Sequence, residues 1–279
     1  MIESADGGDR PVPHTAVVLA GDRGPSDPVA VATGAPCKAL APVGGQALLA
    51  RVIEILRGVA RIDAIVVVGP ARTIVDSVPT LKALLAAADV TWVAPADSPS
   101  ASAARGLDTL APGKPALLTT ADHALLTAAM IEPLLDTSGC DLSVGLVDYA
   151  RVRRAYPASR RTAIRLGRDD GYCGCNLFAV HTSAARKLIA DWQRVEKQRK
   201  HPARVVASML GWTGVLRYAL HRLDLEDAFA RLSRRAGMQV CPVPLSEPEA
   251  GIDVDSLSDL QLVESILTDR KRTRDASLP

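Results

Sequence analysis

Aromatic side chains are scarce here: three Trp, four Tyr and two Phe in 279 residues. So few flat rings leave little for stacking bases or sugar faces. Net charge is small too, +2 at pH 7, which argues against a global field that recruits nucleic acid or an anionic membrane. No stretch approaches the ~20 uninterrupted apolar residues of a membrane span. The opening MIESADGGDRPVPHT lacks a basic segment followed by an apolar one, so it does not read as a signal peptide. Residues 1–13 read instead as a disordered polar tail. The five cysteines (Cys37, Cys140, Cys173, Cys175, Cys241) are odd in number and scattered. Reduced thiols in a cytoplasmic protein are expected. Cys173 and Cys175 lack the two further ligands of a zinc site and read as strand residues. No Ser-His-Asp or Cys-His grouping stands out.

What the chain does hold is apolar residues, 48% of the total, ample for a sizeable core. They come in alternating textures. HTAVVLA, AIVVVGP, DVTWVAP, KPALLTTAD and DLSVGLV are short apolar runs. Between them QALLARVIEILRGV, TIVDSVPTLKALLAAA, SASAARGLDTL and TAAMIEPLLDT carry helical periodicity, with Leu48, Leu49, Val52, Ile53 and Leu56 along one side of the first. Near-continuous apolar strands separated by helices predict an α/β fold with a mostly parallel sheet covered on both faces. After Val147 the chain turns basic and Pro/Gly-punctuated. GCNLFAV then reads as a strand, about 183–235 as a helical insertion, MQVCPVPL as the last strand and LSDLQLVESILTDR as a final helix. One domain over 14–279 is expected, without repeats.

Three places carry chemistry. The first is the loop after HTAVVLA, more than twenty residues of Gly, Pro, Asp and small side chains with Arg23 and Lys38 as its cations. It fits neither the Walker pattern nor G-x-G-x-x-G. A Gly at a strand end does let backbone N–H groups approach a phosphate. The second is Asp122, at the carboxyl end of ALLTT, where open parallel sheets place ligands. It could instead cap the next helix, although Thr127 is the better cap candidate. His123 beside it reads as a supporting or solvent-facing side chain. The third is GIDVDS, where Asp253 and Asp255 face the same way if extended. Two such carboxylates repel unless a cation sits between them, and hard oxygens suit Mg²⁺. Asp259 follows in the first turn of the last helix, where it complements the dipole.

LAG, a basic loop residue, then K-x-L-x-P-V-x-G-x-x-L-L-x-R-V resembles the N-terminal signature of sugar-phosphate and cofactor nucleotidyltransferases. The closest resemblance is to the branch with the molybdenum-cofactor guanylyl- and cytidylyltransferases, called MobA-like. It extends through TTADHALLT to GIDVDSLSDLQLVE. Two departures are visible: Asp22 and an extra PSDPVAVATGAP lengthen the path to Lys38, and Ser256-Leu257-Ser258 replaces the usual Thr-Pro-Glu.

The resemblance implies a single GT-A/Rossmann-like domain. Leu19, Ala20, Gly21, Arg23 and Lys38 would hold the triphosphate of an NTP. Asp122 and Asp255 would bind Mg²⁺, with Asp253 as a further ligand. Ser100, Ser102 and Gly106 in SPSASAARGL resemble the base-contacting helix of cytidylyltransferases, which favours CTP over GTP. Asn176 resembles an acceptor-side Asn. From Arg151 to Arg168 there are seven arginines and no acidic residue. A basic run can be a solvated face, but Arg throughout suits bidentate recognition of phosphate or carboxylate. Arg154, Arg160 and Arg161 are therefore expected to bind a small anionic phosphorylated acceptor. The reaction would be nucleotidyl transfer with pyrophosphate release, with Lys38, Arg23 and Asp122 catalytic. A GT-A-fold glycosyltransferase and a non-catalytic nucleotide-binding module are the rivals. No nucleic-acid or membrane-spanning partner is expected, and a homodimer is left open.

Overall fold

A computed structural model describes residues 12–22, 24, 26–166, 171–197, 213–220 and 222–276, with the backbone alone for 191–197. Most of the expected tail (1–11), Arg23, Arg168 and part of the expected helical insertion (198–212) lie outside the described residues.

The chain begins with β1 (His14–Leu19), α1 (Pro28–Thr33), the small hairpin β2 (Pro42–Val43) and β3 (Gln46–Ala47), and α2 (Leu48–Arg57). It continues through β4 (Ile62–Val68), α3 (Arg72–Ser77), α4 (Pro79–Leu85), β5 (Val90–Val93), α5 (Pro99–Asp108), β6 (Ala116–Thr120) and α6 (Ala128–Leu135). Then come β7 (Leu142–Asp148), α7 (Tyr149–Ala155), β8 (Tyr172–Val180), α8 (Ser183–Lys197), a helix α9 at 213–219, α10 (Leu225–Ala236), β9 (Val240–Leu245) and α11 (Leu257–Ala276).

Seven strands form one sheet in the order β5-β4-β1-β6-β8-β7-β9. All neighbours run parallel except β8, which is antiparallel to β6 and β7. The expected mostly parallel α/β sheet is present. From β1 the chain builds outward through β4 and β5, then returns to lay β6 on the other side of β1. That reversal opens a crevice at the carboxyl ends of β1 and β6, where such sheets take ligands. Leu19 pairs with both Val68 and Thr120, so these three strand ends are level.

Alternation along the strands fills two cores. Ala16, Val18, Ile65 and Val67 face the layer containing Leu49, Val52, Ile53 and Leu56 of α2 and Met130, Ile131 and Leu134 of α6. Val17, Val66 and Val68 face Ala103 and Leu107 of α5, with Ala185 of α8 in the same cluster. Full burial of each Val, Leu, Ile or Met among these contributes about 1.5–3 kcal/mol. Gly106 is what lets α5 lie this close: a Cβ there would stand 2.6 Å from Val17 Cγ1 and 2.7 Å from Val68 Cγ2.

Two expectations need correction. The loop after β1 is not irregular throughout. Asp27 caps α1 with Oδ1, accepting from Val29 N at 3.0 Å and Ala30 N at 3.1 Å. Gly34 closes that helix in the left-handed region at φ 65°. Val29, Ala41 and Val43 then pack with Ile252, Val254, Val263 and Ile266, so the far end of the chain organises this loop. The cysteines are not all thiols either: Cys140, just before β7, is bridged to Cys241 on β9, across 101 residues of chain. Cys37, Cys173 and Cys175 are free and buried. The last strand, β9, is the sheet's edge and carries Pro242 and Pro244.

Candidate active site

The candidate side chains come from several elements: Asp122 from the turn after β6, and Lys38 from the segment between α1 and β2. Asp253 and Asp255 come from the segment between β9 and α11, and Arg161 from the segment between α7 and β8. Ala20 and Gly21 leave β1 pressed against β4: Ala20 N donates to Val68 O at 2.9 Å, and Gly69 approaches so closely that a Cβ would meet Ala20 O at 2.7 Å. Gly69 has φ +96°, which favours glycine sterically. Around Gly21 itself a Cβ would meet nothing within 4 Å among the described residues.

Lys38 opens the single turn of 3-10 helix at Lys38–Leu40 and is 6% exposed. Its Nζ donates to Asp122 Oδ2 at 2.5 Å and to Asp255 Oδ1 at 2.7 Å. Burial works against that ammonium, but the two carboxylates outweigh it and raise its pKa above the ordinary lysine value. The three residues come from positions 38, 122 and 255, so only the fold brings them together. Asp122 follows β6 and Asp255 follows β9. The two loops are stitched by Val254 N donating to Asp122 O at 3.1 Å.

Asp122 Oδ1 is buried without a hydrogen-bond partner among the described residues. Thr127 is the N-cap residue of α6, as expected, although its side chain makes no cap hydrogen bond. His123 is 1% exposed rather than solvent-facing, and neither ring nitrogen has a partner among the described residues. Its pKa is lowered to about 4, first by burial and then by Arg161, with Asp122 opposing. A neutral imidazole at neutral pH follows.

Asp253 does not face Lys38. Its Oδ1 accepts from Arg161 Nη1 and its Oδ2 from Asn176 Nδ2 at 2.9 Å. Arg161 Nη2 also donates to Asp253 O at 2.7 Å and to Asp259 Oδ1 at 2.9 Å. Asp253 carries a raised pKa, because burial disfavours its charge more than Arg161 favours it. Asn176 holds this place with φ 51°, a left-handed conformation that Asn tolerates better than most residues. Arg154 and Arg160 are exposed at α7 and just beyond it.

Asp259 is the residue whose part sequence reasoning missed. Its Oδ2 accepts from Ser256 Oγ at 2.7 Å and from Asp255 N at 3.3 Å, and its own N–H donates to Ser256 Oγ at 3.3 Å. The Ser-x-x-Asp spacing is a capping-box signature and was the available signal.

In α5, Ser98 is the N-cap, accepting from Ala101 N at 3.2 Å, and lies 3.1 Å from Ser100 Oγ. Ser102 is turned inward, accepting from Ala96 N at 2.9 Å. Gly106 faces the sheet. Of the expected base-contacting set, Ser100 remains at the helix start.

Do these residues suit a divalent cation? Lys38 shows that one cation can be shared by Asp122 and Asp255, and Asp122 retains an unpartnered buried oxygen. All the donors are hard. Among the described residues no group of three or more His, Cys, Asp and Glu side chains converges. Two carboxylates fit Mg²⁺, which completes its shell with phosphate oxygens and water. No helix among the described residues is long and apolar enough to cross a membrane.

The sequence matches the MobA-like NTP transferase domain over residues 16–232. Among solved structures, a hypothetical transferase from Thermus thermophilus is 28% identical with a TM-score of 0.72, covering 89% of this chain and 100% of its own. A 4-diphosphocytidyl-2C-methyl-D-erythritol synthase from Anaerococcus prevotii is 12% identical with a TM-score of 0.56, over 93% and 100%. A CMP:2-keto-3-deoxy-manno-octonic acid synthetase, complexed with CTP, is 12% identical with a TM-score of 0.57, over 92% and 99%. These last two share the fold. No curated protein matches the sequence.

Proposed function

We propose that this chain, which belongs to the MobA-like NTP transferase family, transfers a nucleoside monophosphate from an NTP to a small anionic phosphorylated acceptor. The observation that carries this reading is the Lys38 ammonium seated between Asp122 and Asp255, 2.5 and 2.7 Å away, at the reversal point of the sheet. A module that only binds a nucleotide has no need of a lysine and two carboxylates converging on one point.

In the proposed reaction an acceptor phosphate oxygen attacks the α-phosphorus. A new P–O bond forms, the bond to the β-phosphate oxygen breaks, and pyrophosphate leaves. Asp122 and Asp255 would hold Mg²⁺, which when bound supplies positive charge beside the phosphates. Lys38 donates hydrogen bonds to the transferring and leaving oxygens, and Gly21 presents its backbone N–H to them. Arg23 lies outside the described residues and is proposed, from its place in the sequence, as a further cation for the triphosphate. The protein's contribution is positioning and charge neutralisation rather than covalent chemistry.

CTP is the proposed donor, with Ser98 and Ser100 at the start of α5 supporting that choice. A pocket that hydrogen-bonds one base edge rejects another strongly, because mispaired buried groups are costly. Arg154 and Arg160, exposed and free of acidic neighbours in sequence, are the proposed acceptor contacts. Pyrophosphate release tests the proposal, measured with each NTP, Mg²⁺ and a panel of phosphorylated polyols and hydroxy acids. Release with CTP and one acceptor class is the expected result. Consumption of a nucleotide-sugar with release of a nucleoside diphosphate would overturn it.

A further inference from the structure

Beside the Lys38 site lies a second cluster that the proposed reaction does not use directly. Arg161, whose side chain is 9% exposed, stands between Asp253 and Asp259, whose side chains are 20% and 13% exposed. Together the two clusters hold Asp122, Asp253, Asp255 and Asp259 against Lys38 and Arg161. Two negative charges are left in excess, the charge of one divalent cation.

We propose that Arg161 is a positioning residue that sets the cation affinity of this site by holding the loop after β9 so that Asp255 faces Asp122. The inference rests on the reading of Asp122 and Asp255 as Mg²⁺ ligands. Three contacts carry it. Arg161 grips the loop at the Asp253 side chain and again at its carbonyl. It grips Asp259, whose other oxygen accepts from the Asp255 N–H and from Ser256 Oγ. Asn176 closes the remaining oxygen of Asp253. A single planar guanidinium thus fixes the residue two before Asp255 and the residue four after it. A lysine carries its three donors on one freely rotating nitrogen and lacks the rigid planar fork that fixes these directions.

This assignment takes Arg161 away from the acceptor and Asp253 away from the metal. Both Asp253 oxygens already have partners, and burial makes that carboxylate costly to leave unpaired. The guanidinium holds the nearer carboxylates apart from the Asp122–Asp255 pair and offsets their repulsion.

The test uses the full chain and two readouts: Mn²⁺ bound without nucleotide, followed by the electron paramagnetic resonance of free Mn²⁺, and steady-state kinetics with varied Mg²⁺ and acceptor. Loss of a side chain supporting a metal ligand typically weakens metal binding about tenfold to a hundredfold. Arg161→Gln should do so and should raise the half-saturating Mg²⁺ in step, leaving the acceptor KM unchanged. Asp259→Asn, a milder change that also covers the case of an unfolded Arg161 variant, should move both readouts the same way. A raised acceptor KM with unchanged Mn²⁺ binding would overturn the proposal and return Arg161 to the acceptor. Asp122→Asn is the control. If it binds Mn²⁺ like the wild type, the metal reading itself fails. If it abolishes binding while Arg161→Gln and Asp259→Asn do not, only the positioning role fails.

Discussion

Lys38 and Arg161 each stand between two aspartates in adjoining parts of the site, so the two clusters have the same charge composition. Their bonding differs. Lys38 meets Asp122 and Asp255 through one nitrogen, and Asp255 has a side chain 40% exposed. Arg161 meets Asp253 and Asp259 through two nitrogens and also takes a backbone carbonyl. An ammonium is a point charge with rotatable donors, whereas a guanidinium is a rigid fork. Under the proposed function, the first cluster is the one that takes a second cation, and the second is the one that keeps its arginine in place. Charge counting in the sequence treats them alike; only the directions of the donors separate a place where ligands exchange from a place that is built to stay.

The widest expected gap between the clusters is in turnover. Asp122→Ala and Asp255→Ala should each lose nearly all pyrophosphate release while remaining folded by circular dichroism. Wild-type turnover in either at saturating Mg²⁺ would erase the distinction. Lys38→Ala should lower kcat by about 10²-fold, the loss typical of one well-placed charge donor. Below these comes a swap that sharpens the contrast. Lys38→Arg should fail to restore the rate, and Arg161→Lys should keep most of kcat at high Mg²⁺ while needing more Mg²⁺ to reach it.

A gentler probe uses two glycines. Gly106→Ala forces a Cβ against Val17 and Val68 and should cost about 1–3 kcal/mol of stability by overpacking, read as a lower Tm. Gly21→Ala has room, so Tm should hold while the NTP KM rises.

The smallest effect on activity is expected from the bridge between Cys140 and Cys241. Cys140→Ser should cost about 2–4 kcal/mol of stability and leave kcat almost unchanged. Thiol titration of the denatured, unreduced chain should find three free cysteines, those at 37, 173 and 175.

The parallel half of the sheet was legible in the sequence because its signals are local. The run HTAVVL became β1, and the apolar stripe of Leu48, Leu49, Val52, Ile53 and Leu56 became the buried face of α2. Lys38, Asp122 and Asp255 could be nominated one at a time from strand-end placement and family likeness. The loop helix α1 was missed although Asp27 followed by Pro28 is a helix-start signal, because six residues give too short a periodicity. The contacts of Arg161 were not legible. Its partners lie 92 and 98 residues away, and a run of arginines looks the same whether one of them is buried or none is. The Cys140–Cys241 pairing hid for the same reason, since spacing alone does not reveal which strands will be neighbours.

Pro242 and Pro244 have a consequence for how copies of this chain could meet. In β9 they alternate with Cys241, Val243 and Leu245, so both missing N–H groups lie on one side of the strand. Pairing with β7 uses the other side, as expected for prolines in a sheet. The outer rim therefore offers an incoming strand too few donors for a continuous ladder, which is how natural sheets avoid sticking to one another. At the opposite rim β5 spans only Val90–Val93, too short to zip far. A sheet so blunted at both ends is a poor template for sideways growth, so pairing of two copies of this chain through their sheet edges is disfavoured.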